Sequence, residues 1–510
     1  GGAQDSFVGG SGSATLTEAL RTEGFNVNSS LENYYQNSSS SIGTENSDFG
    51  KDVEQTFSLY GDAAVIILSR TGGEGNDLDL VTEEKEDNKD GDGNDYGWKH
   101  KALYKDEDGN EYKHYLQLTD SEEKLISYVK DHFDKIVVVL NTSNVMEIGN
   151  LKDDPAINAM LWIGRPGSTG IAGLAKILSG EINPSGKLVD EWYRDLTEDP
   201  TWYNFGTYEQ FGGSNTYIYD TETTGAPESK PGGGVAGGSG FFGVDYEEGI
   251  YLGYKYVETV YAELQKGSIK YNKTTDSLVA GTETLSQNDS GTADEWWANT
   301  VAYPFGYGLS YTDFSYSLGK VYYYNGQGVK TELGEEVSHE LFESEAGAHA
   351  QVEKLYAPVT VTNEGSVAGK QVVQVYVTMP YFEGEVEKAE VNLVGYAKTD
   401  ELRPGESQTV NVAFNVQDFA SFDYNDANDN GYSGYELDAG DYTIKVMEDS
   451  HTVAASQEFT LDEDALLKSD DFSGNEVKTW FSNGDTYDTR RMNHSIGSDD
   501  DFLQINEDKD

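Results

Sequence analysis

The chain has 510 residues, room for about three or four domains of ordinary size. Its 91 Asp and Glu outnumber 35 Lys and Arg, for a net charge of −56. That balance repels a phosphate backbone or an anionic membrane surface but does not oppose a neutral ligand. There is no cysteine, which excludes disulfides, thiolate zinc sites and a cysteine nucleophile. No apolar run approaches the ~20 residues of a membrane span. No signal-peptide pattern opens the chain, which begins at Gly1 without a Met. A hydrophobic content of 36% with 12% aromatic residues fits a folded protein.

Residues 1–30 are a Gly- and Ser-rich loop followed by a short helix from Thr15 to Gly24. Gly10 and Gly12 do not make a dinucleotide fingerprint: the third glycine position is Thr15 and no strand precedes it. Residues 31–60 are polar, with little periodicity. The run Ala63-Ala64-Val65-Ile66-Ile67-Leu68 then predicts a strand buried on both faces, as in a parallel sheet. It continues into Ser69-Arg70-Thr71-Gly72-Gly73-Glu74-Gly75-Asn76-Asp77-Leu78. In open α/β sheets ligands bind beyond the carboxyl ends of strands, so Glu74 falls on a glycine-flanked loop where chemistry is expected. The alternative is a strand-to-helix turn with a solvated Glu. Arg70 either sits near Glu74 or lies on the surface, and Asp77 reads as a helix cap.

Residues 81–113 form an acidic insertion. Asp90, Asp92 and Asn94 have the opening spacing of a calcium loop, but the later glycine and glutamate do not follow, so a solvated loop is expected. A helix capped at Thr119 or Ser121 presents Leu125, Ile126, Val129 and Phe133 on one face. Buried strands follow at 136–140 and 157–163, then a helix over 171–178 ending at Gly180. Strand, helix, strand in this order predicts a layered parallel sheet. Trp296 and Trp297 lie in a polar insertion, where an aromatic pair either stacks on a sugar or closes a small core.

From about 350 the pattern turns to period two: Val359/Val361, Val373/Val375/Val377, Val410/Val412/Phe414 and Tyr442/Ile444/Val446. Turn residues separate these runs, which predicts an all-β sandwich. Asp426, Asn428, Asn430 and Gly431 open like a calcium loop, but Leu437 stands at the twelfth position, so a turn is expected. Residues 463–510 read as an acidic linker.

Several of these segments, in this order, resemble glycoside hydrolase family 3, the β-glucosidase and β-xylosidase group. They are Ser-Arg-x-x-Gly-Glu-Gly at 69–75, Trp162-x-Gly164 with Pro166-Gly167, Ile177-Leu178-Ser179-Gly180, Asn183-Pro184-Ser185-Gly186-Lys187-Leu188, and Tyr303-Pro304-Phe305-Gly306-Tyr307-Gly308-Leu309-Ser310-Tyr311-Thr312. The resemblance implies an α/β sandwich domain over 1–320, with insertions near 81–113 and 205–300. It also implies a fibronectin-III-like sandwich over 345–462. The implied activity is that of a retaining, exo-acting β-glycosidase on an oligosaccharide or β-glycoside, with no cofactor and no metal.

In that reading Glu74 is the general acid/base and Arg70 a substrate-binding or charge-balancing neighbour. The family's Asp nucleophile belongs to a (β/α)8 barrel. No eightfold strand–helix alternation is present here, so the barrel is expected on the same or a companion chain, downstream of the linker. A non-catalytic carbohydrate-binding or assembly module is the competing reading, and the retained Ser69-Arg70…Gly73-Glu74-Gly75 segment argues against it. A serine hydrolase lacks its Gly-x-Ser-x-Gly elbow. An extracellular or cell-surface bacterial setting is expected, and homo-oligomer formation is left open.

Overall fold

The structure, a computed structural model, describes residues 15–37, 48–70, 113–114, 116–164, 166–204, 216–220, 240–244, 248–470 and 472–477. Glu74, Asp77, Asp90, Asp92 and Asn94 lie outside the described residues. Two compact units emerge. One holds the described residues up to 182 with 192–196, 203–204, 216–220 and 240–244; the other holds 183–191, 197–202 and those from 248 onward.

The first unit is built on a parallel sheet of β1 (Ala64–Ser69), β2 (Ile136–Asn141) and β3 (Ile157–Trp162), in that spatial order. Ala64 pairs with Ile136 and Ser69 with Asn141, so β1 and β2 end together. Alternation sends Ile67, Val137, Val139 and Leu161 to one face, where they meet Ile171, Leu174 and Leu178 of the Gly167–Ser179 helix and Leu16 of the Leu16–Thr22 helix. Ile66, Leu68, Val138 and Leu140 are buried on the other face. The Asp120–Lys130 helix, with Leu125, Ile126 and Val129 buried, lies against β1. Its cap is Thr119, whose hydroxyl accepts from the Glu122 N–H. Phe133 falls just beyond the helix and packs on Phe57.

The second unit is a β-sandwich with two helices added. One sheet centres on Lys354–Asn363, which pairs with Phe314–Leu318, Tyr322–Tyr324 and Ser407–Asn415. The other runs in the order Glu336–Val337, Val453–Leu461, Gly440–Met447, Val372–Thr378, Asn392–Lys398. Val359, Val361, Val412 and Phe414 of the first sheet share one core with Val373, Val375, Val377, Tyr442, Ile444 and Val446 of the second. The Asp426–Gly431 stretch is a turn: Asp426 Oδ1 accepts from the Gly431 N–H at 2.9 Å.

Three boundaries differ from the sequence reading. Sheet pairing starts at Phe314 rather than near 345, because Phe314 bonds in register with Asn363. The assumed linker opens with a strand, Ala465–Leu467, paired to Gly434–Leu437, and Ala465 and Leu467 enter the core. A three-residue strand is too short to show periodicity. Finally, residues 254–300, read as insertion within the α/β domain, gather with the sandwich. Tyr254–Lys266 and Ala293–Thr300 are helices, and between them lies a hairpin, Ile269–Asn272 with Ser277–Ala280. Trp296 is buried there, and Trp297 donates to Glu258.

The motif around Asn183 is a brace. Its Oδ1 accepts from Ser310 Oγ and the Tyr311 N–H, and its Nδ2 donates to the Ala368 carbonyl. A Cβ on Gly308 would stand 2.3 Å from the Gly186 carbonyl oxygen, so glycine is required there.

The sandwich core carries the first testable consequence. Ile444 is fully buried; Ile444→Ala should cost about 2–5 kcal/mol in urea denaturation. Ser456→Ala, on an exposed position of the neighbouring strand, should stay within about 0.5 kcal/mol.

Candidate active site

The carboxyl end of β1 is fixed by an ion pair. Arg70 follows the last residue of the strand, and only 1% of its side chain is exposed. Its Nη1 donates to Glu122 Oε1 at 2.6 Å and its Nη2 to Glu122 Oε2 at 2.8 Å. The same two nitrogens reach the Ser69 carbonyl at 2.8 Å and the Gln117 carbonyl at 2.7 Å. Two parallel bonds to one carboxylate suit the planar fork of a guanidinium. Glu122 Oε2 also accepts the Thr119 N–H at 2.9 Å, which closes a capping box in the first turn of the helix. One carboxylate therefore caps the helix and neutralises the arginine.

A second layer lies behind this pair. Gln117 Nε2 donates to Glu147 Oε2 at 2.8 Å, and Gln117 Oε1 accepts the His114 N–H at 3.1 Å. Glu147 Oε1 takes His114 Nε2 at 2.7 Å and the Leu196 N–H at 2.8 Å. The Leu116 N–H donates to His114 Nδ1 at 3.2 Å. That bond makes Nδ1 the acceptor, so Nε2 carries the proton given to Glu147. The network joins the end of β1 to the 113–119 segment, Glu147 and the 192–196 segment.

Beside it, the residues after β2 and β3 make a polar rim. Trp162 Nε1 donates to the Thr142 carbonyl at 2.6 Å, and Trp162 meets Trp192 edge to face at 6.0 Å. Asn141 Oδ1, Asn144 Nδ2 and Trp192 Nε1 are buried atoms with no hydrogen-bond partner among the described residues. One acceptor and two donors are thus unused at the edge of the sheet where ligands bind in open α/β folds. No group of three or more His, Asp or Glu among the described residues is placed to hold a metal ion. No helix among them is long and apolar enough to cross a membrane.

Of the two site residues expected from the sequence, Glu74 lies outside the described residues. Arg70, expected at the substrate or on the surface, is instead enclosed by protein acceptors, because a buried guanidinium without a counter-charge would be prohibitive. Its partners Glu122 and Gln117, with His114, Glu147 and Trp192, were not singled out as site residues. The Thr119–Glu122 capping-box spacing was the one local signal, and it marked a helix start rather than an ion pair.

A helix-flanked parallel sheet with a braced strand end, and a separate β-sandwich, define a composite α/β and all-β protein. Residues 8–254 match the glycosyl hydrolase family 3 C-terminal domain, and residues 371–450 match the fibronectin type III-like domain. The chain thus carries a domain of the glycosyl hydrolase family 3 C-terminal type and a fibronectin type III-like domain. It is 29% identical to β-glucosidase A of Butyrivibrio fibrisolvens over 378 residues, 73% of this chain and 34% of that protein. It is 28% identical to a β-glucosidase of Ruminococcus albus over 352 residues, 69% of this chain and 26% of that protein. The solved β-glucosidase 3B from Thermotoga neapolitana, in complex with α-D-glucose, shares the fold with a TM-score of 0.55 at 23% identity. That match covers 89% of this chain and 47% of the other. The chain thus spans between about a quarter and a third of the length of these two curated relatives.

The brace has a measurable consequence. Arg70→Met leaves the Glu122 carboxylate buried beside an apolar side chain and should cost about 3–5 kcal/mol. Arg70→Met with Glu122→Gln should lose clearly less than the two single losses combined in a double-mutant cycle. Additive losses would mean that the two side chains are not coupled.

Proposed function

We propose that this chain supplies the acid/base carboxyl group of a retaining, exo-acting β-glycosidase that removes terminal β-linked sugars, of the β-glucosidase or β-xylosidase type. The observation that carries this reading is the continuity of the braced strand end with the 71–75 segment. Arg70 is locked in place, and four residues later comes Glu74, between two glycines. The names of the relatives and the match to the glycosyl hydrolase family 3 C-terminal domain support the same chemistry.

Retaining hydrolysis uses two carboxyl groups about 5–5.5 Å apart on opposite sides of the glycosidic bond. In this reading Glu74 protonates the leaving oxygen and later takes a proton from the incoming water. An Asp of a (β/α)8 barrel, on the same or a companion chain, attacks the anomeric carbon. Arg70 acts as a positioning residue: its ion pair fixes the stem from which the Glu74 loop starts. Asn141, Asn144 and Trp192 offer the unused acceptor and donors to sugar hydroxyls, each of which can both give and receive a hydrogen bond. The negative charge of the chain is no obstacle to a neutral glycoside.

The test is the leaving-group dependence of Glu74→Gln in the complete enzyme. Aryl glycosides with poor leaving groups need protonation most, so their kcat/KM should fall by about 10²–10⁴-fold. Substrates with good leaving groups should lose far less. Equal retention of activity on both classes would remove Glu74 from the reaction and favour the non-catalytic carbohydrate-binding module.

A further inference from the structure

The sandwich unit buries a separate set of ionisable groups that the proposed reaction does not use. Glu191 is 5% exposed. Its Oε2 accepts the Phe305 N–H at 2.8 Å, and its Oε1 is buried with no partner. The charges that act on it most strongly are acidic: Glu258, Asp449 and Asp199. Glu258, on the Tyr254–Lys266 helix, is also buried. Its Oε1 accepts from Trp297 Nε1 at 3.1 Å, and its Oε2 meets His451 Nδ1 at 2.9 Å.

His451 sits in the 448–452 turn at the end of the Gly440–Met447 strand. Its ring stacks on Trp297 with centroids 4.1 Å apart and takes the edge of Tyr261 at 4.8 Å. The imidazole thereby joins the turn to both helices. Asp449 Oδ1 accepts the N–H groups of His451 and Thr452, and Ser450 donates its N–H to the Phe305 carbonyl. The Ser450 hydroxyl is buried without a partner. Around the rim, Asp294 faces His451 and Lys187 faces Asp449. The Tyr376 hydroxyl feels Tyr254 and all three carboxyl groups.

Glu258 and Asp449 thus share one imidazole, while Glu191 lies beside Glu258 in the same mostly dry site. Burying a second anion there without a counter-charge is costly, so the cluster retains protons. Burial first, and then the charge of Glu258, hold Glu191 well above the usual carboxylate range. Burial likewise raises Glu258, against the lowering effect of its His451 bond. Burial alone would lower His451, but the hydrogen bond and charge of Glu258 outweigh it and raise the imidazole above 6.5. Each of the three therefore binds its proton more tightly in the folded state than in the unfolded chain. Stability from these groups is present at acid pH and is lost as the pH rises through their raised values.

We propose that Glu191, Glu258 and His451 form a proton-dependent lock, which holds the 448–452 turn on the two helices at acid pH and loosens it as the cluster gives up its protons. The lock is independent of the glycosidase reading.

The experiment is calorimetric unfolding of the full chain between pH 5 and pH 8.5. Glu191→Gln keeps an acceptor for the Phe305 N–H and removes the titration. Its Tm should match the parent at pH 5 and exceed it by about 2–4 °C at pH 8.5. His451→Gln, on a side chain 25% exposed, should do the reverse: a loss of about 2–4 °C at pH 5 and little change at pH 8.5. If Glu191→Gln does not fold, the pH-resolved loss in His451→Gln decides. Variant curves that run parallel to the parent over the whole range would overturn the lock and leave an ordinary packing role.

Discussion

A guanidinium buried at the end of a parallel strand has to find acceptors, and the surroundings of Arg70 are arranged to supply them. The carboxylate comes from Glu122, in the first turn of a helix that begins 50 residues further along the chain. The carbonyls come from Ser69 and Gln117. Removing any of these leaves a charge or a strong donor unpaired in a site with almost no water access, which is why the pair acts as a constraint on the whole edge of the sheet. With Arg70 fixed, the carboxyl end of β1 is held in one position. In the proposed reaction, a carboxyl group that has to meet a glycosidic oxygen within a fraction of an ångström needs such a stem.

Much of the architecture was legible in the sequence because it rests on local periodicity. The six-residue apolar run of β1, the Ile136–Leu140 run and the valine alternations of the sandwich each report burial on faces set by strand geometry. The Thr119 cap was readable from its spacing to Glu122. The site was much less legible. Arg70 and Glu122 are 52 positions apart, and a non-local ion pair leaves no periodic trace. Glu191 follows Asp190 in a chain with 91 acidic residues, so nothing local distinguishes a buried carboxyl group from a solvated one. Glu74 drew its meaning from resemblance to a family, not from composition. The helices at 254–266 and 293–300 were hidden by the polar residues of their outer faces, and Glu258 and Glu263 are buried against the expectation for their type.

The two units treat excess negative charge differently. In the α/β unit the buried carboxylates are fully committed: Glu122 to an arginine and a helix N-terminus, Glu147 to a histidine, an amide and a backbone N–H. In the sandwich unit Glu191 hydrogen-bonds to no cation among the described residues, and Glu258 shares His451 with Asp449. The first arrangement pairs each carboxylate with donors from several segments. The second ties packing to proton uptake.

The central claim is that this chain brings an acid/base group to a nucleophile that lies outside it. The most direct measurement is covalent trapping of the glycosyl–enzyme intermediate in the protein isolated from its source, with a fluorinated β-glycoside that turns over slowly, followed by peptide mapping. The account predicts a labelled Asp on a barrel peptide that is not part of residues 1–510. A labelled carboxylate within those residues, or no labelling of a protein that nevertheless binds the sugar, would contradict it.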